Sequence, residues 1–122
     1  GHASLDSIVS IRRDDVQALQ YLSGKRVGFF IIADMLAFLF FNALKERGIS
    51  LAVPERAGII THDDLAYAQV LGLATMAPPL YEIGMHAGEM ILSIVSAKGM
   101  PQDMLLRSQF VMRPSITAME AV

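Results

Sequence analysis

The sequence has no cysteine, and only 18% of its 122 residues are charged. Without cysteine there is no disulfide bond and no thiolate metal site, and the composition is compatible with a reducing compartment. Ten basic residues stand against 12 acidic ones, which gives a formal net charge of −2. A nucleic-acid-binding surface requires an excess of basic residues. The composition therefore excludes a disulfide scaffold and argues against DNA or RNA binding by this chain itself.

Apolar residues are abundant instead, at 53% of the sequence, which is more than in a typical globular domain. The length suits one domain that can bury most of its apolar surface. The excess predicts that part of the surface is apolar or is covered by a partner. The first residues, GHASLD, lack the basic and apolar regions of a signal peptide. We interpret residues 1–2 as a tag remnant and residues 3–122 as one domain of a longer protein; a short protein with a trimmed end is the alternative.

One apolar stretch, Val27 to Leu44, is 18 residues long and is interrupted only by Asp34 and Asn42. This length is near the minimum for a membrane-spanning helix, but a central aspartate costs about 2.5–3.5 kcal/mol on insertion scales. The stretch also divides into a β-branched and aromatic run, Val27–Ile32, and a run of helix-forming residues, Met35–Glu46. We therefore predict a strand, a turn and a helix, and no membrane span.

The remaining pattern alternates between strand-like and helix-like segments. Such an alternation predicts an α/β fold with a mostly parallel sheet flanked by helices in three layers. Residues 65–72 are compatible with a helical turn. The predicted elements are strand Asp6–Ser10, helix Arg12–Leu22, strand Val27–Ile32, helix Met35–Glu46, strand Ala57–Thr61, a short strand at Leu73–Met76, helix Leu80–Ala97 and strand Leu105–Met112.

Four segments together resemble the lactose-repressor (LacI) type of bacterial transcription regulator, in the order and near the spacing of that family. They carry its strand-exit aspartate and following helix, its Val-Pro-Glu turn with an Asp-Asp pair, its Thr-containing strand with a Glu-x-Gly-x-x-Ala helix, and its closing Val-x-Arg-x-Ser strand. The segments are ADMLAFLFFNALKERGIS, VPERAGIITHDDL, LATMAPPLYEIGMHAGEMIL and LLRSQFVMRPS.

This resemblance implies that residues 3–122 form the carboxy-terminal lobe of a periplasmic-binding-protein-like type I fold. Two such lobes clamp a small molecule, usually a sugar or nucleobase, and a separate helix-turn-helix domain binds operator DNA. The resemblance implies a cytoplasmic homodimer whose sugar-like effector controls operator binding, with no enzymatic activity and no cofactor. Two departures from the family reduce the number of polar groups expected to line a sugar site. Ala33 stands at an often polar position, and Thr61-His62 replaces the common Gly-aromatic pair.

The resemblance also nominates ligand-binding residues. Asp63 aligns with a ligand-contacting aspartate, and a carboxylate at a strand end accepts hydrogen bonds from vicinal hydroxyl groups; a turn or helix-cap role is the alternative. We interpret its neighbour Asp64 as the cap of the next helix. Asp34 is a further candidate, although capping the apolar helix is the stronger interpretation. Ala33 can contribute only backbone groups.

Two other candidates are His62 and Leu80. His62 follows a strand and precedes two acids, which suggests an acid–base or metal role. A solvated loop histidine is the stronger interpretation, because the sequence offers no third ligand at metal-like spacing. Leu80 aligns with an apolar ligand contact, and packing of a first helical turn explains it equally well. The stripe formed by Glu82, His86 and Glu89 resembles a metal-binding face, but it also resembles the wet side of a helix. We predict no metal site, and no catalytic constellation can be assembled.

The apolar helix lacks a polar face from Met35 to Phe41, so it must be covered on two sides. The sheet supplies one cover. The resemblance implies that a partner subunit supplies the other, and we expect the dimer interface to contain Leu36, Phe38, Leu39, Phe41, Asn42 and Lys45.

Two other interpretations fit parts of the sequence. The carboxy-terminal lobe of a periplasmic sugar-binding protein shares the architecture, but the strand-exit and closing motifs favour the regulator. A small flavodoxin-like enzyme would need a phosphate-binding first loop, and none is present near Ser10–Asp14.

Overall fold

The computed structural model of the protein describes residues 26–100 and 102–116. The predicted strand Asp6–Ser10 and helix Arg12–Leu22 lie outside these residues. Within them the chain forms β1 (Val27–Phe30), α1 (Asp34–Glu46), β2 (Ala57–His62), α2 (Ala66–Leu71), β3 (Ala74–Ala77), α3 (Leu80–Val95) and β4 (Gln109–Val111).

The four strands form one sheet in the order β1-β2-β3-β4. β1, β2 and β3 run parallel, and β4 pairs antiparallel with β3 so that Gln109 lies opposite Ala77. The predicted α/β fold with a mostly parallel sheet is confirmed. Because parallel strands end at the same edge of a sheet, the residues after β1, β2 and β3 gather at one edge.

The core lies on one face of this sheet. Ile59 of β2 is buried against Ala37 of α1 and Ala68 of α2, and Leu73 completes the cluster. Along β2, alternate residues are buried and half-buried, as the two-residue period of a strand requires. The small alanine side chains bring both helices close to the sheet, so α1 and α2 form a single layer over it.

Helix α1 has an inner and an outer face, although its sequence is apolar on both. Ala37 and Leu44 are buried on the inner side. The outer side carries Leu36, Phe38 and Leu39, which are exposed by 39%, 38% and 37%. The helix ends before Gly48, whose φ of 66° lies in the left-handed region that glycine adopts without strain. The predicted extent of this helix is confirmed to within one residue.

Helix α3 differs from α1 and α2 because it has no buried residue. Its predicted apolar face is exposed to a large extent, with Ile83, Ile91 and Ile94 at 43%, 60% and 46%. The helix is present as predicted, but the described part of the chain does not cover it. Among the residues with known placement, no helix is both long and apolar enough to cross a membrane.

The core predicts a specific dependence on Ile59. Truncation by Ile59→Ala removes a completely buried side chain and should lower the free energy of unfolding by about 2–4 kcal/mol, through lost burial and a residual cavity. Ile32→Ala, at a position that is 70% exposed, should change it by less than about 0.5 kcal/mol. Urea denaturation followed by circular dichroism measures both variants, and equal losses would contradict the described core.

Candidate ligand site at the strand ends

The carboxylate of Asp34 is buried at the carboxyl edge of the sheet. Its Oδ1 accepts hydrogen bonds from the hydroxyl groups of Thr61 at 2.5 Å and Thr75 at 3.3 Å. Its Oδ2 accepts the backbone N–H of Leu65 at 2.6 Å. Buried polar groups require such partners, and this carboxylate has donors from β2, β3 and the loop before α2. Asp34 thereby joins the ends of three strands.

The prediction that Asp34 caps α1 with its side chain is wrong. The N-cap residue is Ala33, which makes no side-chain hydrogen bond to the helix. Ala33 is half-buried, and its carbonyl accepts the N–H groups of Leu36 and Ala37 at 3.1 and 3.3 Å. Asp34 occupies the first turn, where its charge favours the helix dipole, but its oxygens are used by the sheet instead. Ligand contacts by Ala33 and Asp34 remain predictions.

Directly after β2 the backbone turns through two residues with positive φ, Asp63 at 109° and Asp64 at 57°. Such conformations are uncommon for residues other than glycine and concentrate at functional sites. The turn is held because the N–H of Asp63 donates to the carbonyl of Met76 in β3 at 3.0 Å. Asp64 forms an ion pair with Arg113 at 2.6 Å between Oδ1 and Nη2. A strained corner is therefore anchored at both of its residues.

The prediction that Asp64 caps the next helix is wrong as well. The N-cap residue of α2 is Leu65, and no side chain bonds that helix end. Asp64 is drawn instead to Arg113, which also donates to the carbonyl of Leu73 at 3.0 Å. The guanidinium thus neutralises Asp64 and ties the corner to the chain segment after β4.

His62 and Asp63 lie side by side at the end of β2, with His62 Nδ1 2.7 Å from Asp63 Oδ1. Their side chains are exposed by 38% and 36%, so both are accessible from solvent. His62 therefore contacts the neighbouring acid, and its ligand role remains a prediction. His62 is the last residue of β2 rather than a loop residue, and its backbone is fixed by pairing with Met76.

Leu80 is the first residue of α3 and is largely exposed. It follows β3 and therefore leaves the same edge of the sheet. No contact described in the structure joins it to His62 or Asp63, so its ligand role remains a prediction.

Two residues of the closing segment were not named as candidates. Ser115 accepts the N–H of Ala74 at 2.7 Å and donates to the carbonyl of Ile59 at 2.6 Å through its hydroxyl group. Its own backbone carbonyl accepts the N–H of Ile59 at 2.9 Å. Ser115 therefore joins β2 to β3, while Arg113 holds the Asp64 corner. Both residues, Arg113 and Ser115, belong to the Val-x-Arg-x-Ser motif, which is the sequence feature that could have identified them.

The predicted interface residues divide between the two faces of α1. Phe41 is partly buried and packs against the core. Phe38 stacks obliquely on Tyr67 of α2, with ring centroids 5.4 Å apart. The exposed members of the set are Leu36, Phe38, Leu39, Asn42 and Lys45.

The metal-like stripe on α3 contains a His86–Glu89 contact of 3.1 Å. Among the residues that the structure describes, no group of three histidine or acidic side chains is arranged to hold a metal ion. The corner formed by His62, Asp63 and Asp64 therefore offers hydrogen-bonding groups and carries net negative charge. It suits a ligand that donates hydrogen bonds.

The role of Asp34 gives a quantitative prediction. Asp34→Ala leaves two hydroxyl groups and one N–H without their acceptor and should lower the free energy of unfolding by about 3 kcal/mol or more. Asp34→Asn retains one acceptor oxygen and should cost less. Asp103→Ala, at an exposed position, should stay within about 0.5 kcal/mol of the parent. Chemical denaturation distinguishes these outcomes. An Asp34→Ala protein as stable as the Asp103→Ala control would contradict a stabilising role for the hydrogen bonds that Asp34 accepts.

Comparisons with known proteins bear on the family and the fold of the chain. A family model of the periplasmic binding protein-like domain matches residues 4–116. The chain is 28% identical over 91 residues to the arabinose metabolism transcriptional repressor of Geobacillus stearothermophilus, covering 71% of this chain and 24% of that protein. It thus spans about a quarter of the length of this relative.

Solved structures of LacI family transcriptional regulators are also similar. One from Enterococcus faecium with bound ribose has a TM-score of 0.68 and 26% identity, over 85% of this chain and 38% of that one. Another from Arthrobacter sp. FB24 in complex with lactose has a TM-score of 0.66 and 27% identity, over 84% and 40% of the respective chains. The chain belongs to the periplasmic binding protein-like domain family and corresponds to part of the effector domain of LacI-type transcription regulators.

Proposed function

We propose that this chain is the carboxy-terminal lobe of an effector domain that binds a sugar-like molecule and forms a homodimer, and that it thereby controls operator binding by a separate domain. The observation that carries the ligand-binding part is the accessible Asp63 carboxylate at the carboxyl edge of the parallel sheet. Open α/β sheets bind their ligands at this edge. The Asp34 hydrogen bonds and the Arg113 ion pair keep the corner in shape before a ligand arrives.

The chemical class of the ligand follows from the groups present. The corner offers carboxylate and imidazole groups rather than a cationic pocket, and its one arginine is occupied by Asp64 and Leu73. Hydroxyl groups of a sugar can donate to such acceptors. Relatives are described with bound ribose and with lactose, and as a repressor of arabinose metabolism. These points together support a monosaccharide or small oligosaccharide as effector.

The remainder of the effector site is proposed to come from a first lobe. The chain spans about two fifths of the length of the similar regulator structures. Helix α3 starts at the ligand-binding edge and has no buried residue, so its apolar side chains offer a surface on which a first lobe can pack. A cleft between two lobes would enclose a ligand that touches Asp63.

Ligand binding can be measured on the chain itself. Titration with D-ribose, arabinose and lactose, followed by ¹⁵N NMR, should shift amide signals of residues 61–65 for at least one sugar. Asp63→Asn keeps the shape and tolerates a positive φ, but it removes the charge and should weaken binding about tenfold or more.

The matched control is Asp103→Asn, since Asp103 lies in the exposed connection before β4 and should bind as the parent does. Shifts confined to other regions, or equal affinities for the two variants, would contradict a site at Asp63.

The dimer is proposed to form through the outer face of α1. Leu36, Phe38 and Leu39 are exposed there side by side, and Phe38 contacts Tyr67 of α2. Contiguous exposed apolar surface on a soluble protein marks an interaction site. A twofold axis that pairs this face with itself gives a closed dimer, which is the commonest symmetry of soluble oligomers.

Sedimentation velocity tests this interface. Phe38→Glu places a charge in the centre of the apolar face and should weaken self-association about tenfold or more. Leu105→Glu introduces the same charge at a position that is 94% exposed and remote from α1 in the chain, so it should leave association unchanged. The proposal fails if the parent is monomeric at high concentration, or if both variants associate equally.

The regulator interpretation is favoured over a periplasmic sugar-binding protein because the sequence relative is a transcriptional repressor and the solved neighbours are regulators. On the same ground we propose a cytoplasmic location and no catalytic activity. Operator DNA is proposed to be bound through a helix-turn-helix domain outside this chain.

A further inference from the structure

His62 is the last residue of β2, and its imidazole is within hydrogen-bonding distance of the proposed ligand-binding carboxylate. His62 Nδ1 and Asp63 Oδ1 are 2.7 Å apart, and both side chains are about one-third exposed. The short distance requires a proton on Nδ1, because a carboxylate oxygen can only accept. The imidazole is thus assigned as donor and Asp63 as acceptor.

The geometry of this pair is fixed from several directions. His62 lies opposite Met76 in the β2–β3 register, and the N–H of Asp63 donates to the carbonyl of the same residue. The next residue, Asp64, is held by Arg113. A φ of 109° at Asp63 directs its side chain in a way that ordinary strand geometry does not, and such strain persists only where the surroundings hold it.

The pairing leaves two acceptors without partners. In the described part of the chain, neither Asp63 Oδ2 nor His62 Nε2 has a hydrogen-bond partner. With a neutral imidazole protonated on Nδ1, Nε2 carries a lone pair, so both atoms accept and neither donates. Two neighbouring acceptors suit two hydroxyl groups of a polyol, each of which can donate a hydrogen bond.

The charge of the corner adds a second restriction. Arg113 is engaged by Asp64 and by the carbonyl of Leu73 and forms no described bond with Asp63. A phosphate group brought to the two acceptors finds no donor there, and a carboxylate that supplies one of them repels it.

We propose that His62 is a positioning and specificity-determining residue: it holds Asp63 so that the pair selects an uncharged polyhydroxylated ligand over a phosphorylated or carboxylated sugar. The selectivity rests on the proposed function, whereas the hydrogen bond between the two side chains does not.

The hydrogen bond is tested without any ligand. Long-range ¹H–¹⁵N NMR of the imidazole, at a pH above the usual range of histidine titration, should find the His62 proton on Nδ1. Asp63→Gly removes the acceptor and suits a positive φ, so this variant should move the proton towards Nε2. A parent protein with the proton on Nε2, or a tautomer unaffected by Asp63→Gly, overturns the positioning role.

The selectivity is tested by titration with D-ribose and with ribose 5-phosphate. Ribose should bind the parent about tenfold or more tightly than its phosphate does. His62→Asn keeps a donor at the position of Nδ1 but lacks the acceptor Nε2, so it should weaken ribose binding about threefold. His62→Phe lacks both the donor and the acceptor and should weaken binding about tenfold or more.

The outcomes separate the two proposals. Equal affinity for the two probes, or His62→Phe binding ribose as well as His62→Asn, overturns the selectivity and leaves sugar binding intact. If neither D-ribose nor any sugar of the wider titration shifts residues 61–65, the proposed function fails and the selectivity fails with it. The tautomer measurement still decides the positioning role in that case. Circular dichroism of each variant excludes loss of fold as the cause of weak binding.

Discussion

The buried carboxylate of Asp34 is the interaction on which the edge of the sheet depends. A charge removed from water is tolerated only when hydrogen bonds replace its hydration. Thr61, Thr75 and the N–H of Leu65 supply these bonds, and they come from three separate parts of the chain. This requirement explains why the buried positions 61 and 75 carry threonine rather than valine, since a valine of the same shape would remove one of the hydroxyl donors to Oδ1 of Asp34. The accessible corner at His62 and Asp63 begins one residue after Thr61.

The apolar excess of the composition is accounted for by surfaces rather than by a large core. The inner core is small and contains several alanines, whereas exposed leucine, isoleucine, phenylalanine and methionine side chains lie on the outer face of α1 and around α3. These two surfaces belong to different elements, and we propose a different partner for each. The proposed dimer occupies the first, and the proposed first lobe occupies the second.

Much of the fold followed from local sequence because its signals are local. The β-branched run before Asp34 predicted the start of β1, although the strand ends at Phe30 rather than Ile32. The helix-forming run and the terminating Gly48 predicted α1 to within one residue. The Asp-Asp pair was correctly placed after a strand, and its ligand role stays a prediction.

The errors arose where a side chain found its partner far away in the chain. Local sequence predicts that Asp34 is a helix cap, because its partners Thr61 and Thr75 lie 27 and 41 residues away and are not visible locally. The same holds for Asp64, whose partner Arg113 is 49 residues away. A capping preference is visible in the sequence, whereas the competing acceptor or donor is known only once the strands are paired.

The antiparallel pairing of β4 with β3 has a consequence for cooperativity. Ala77 and Gln109 face each other across the sheet, so residues 78–108 leave and return at neighbouring points. The sheet holds both ends of this excursion, and Ser115 and Arg113 anchor the chain after its return. Helix α3 buries no side chain, so among the described residues its packing adds little to the core that Ile59 forms with α1 and α2. We therefore expect α3 to open at a lower free-energy cost than the sheet with α1 and α2.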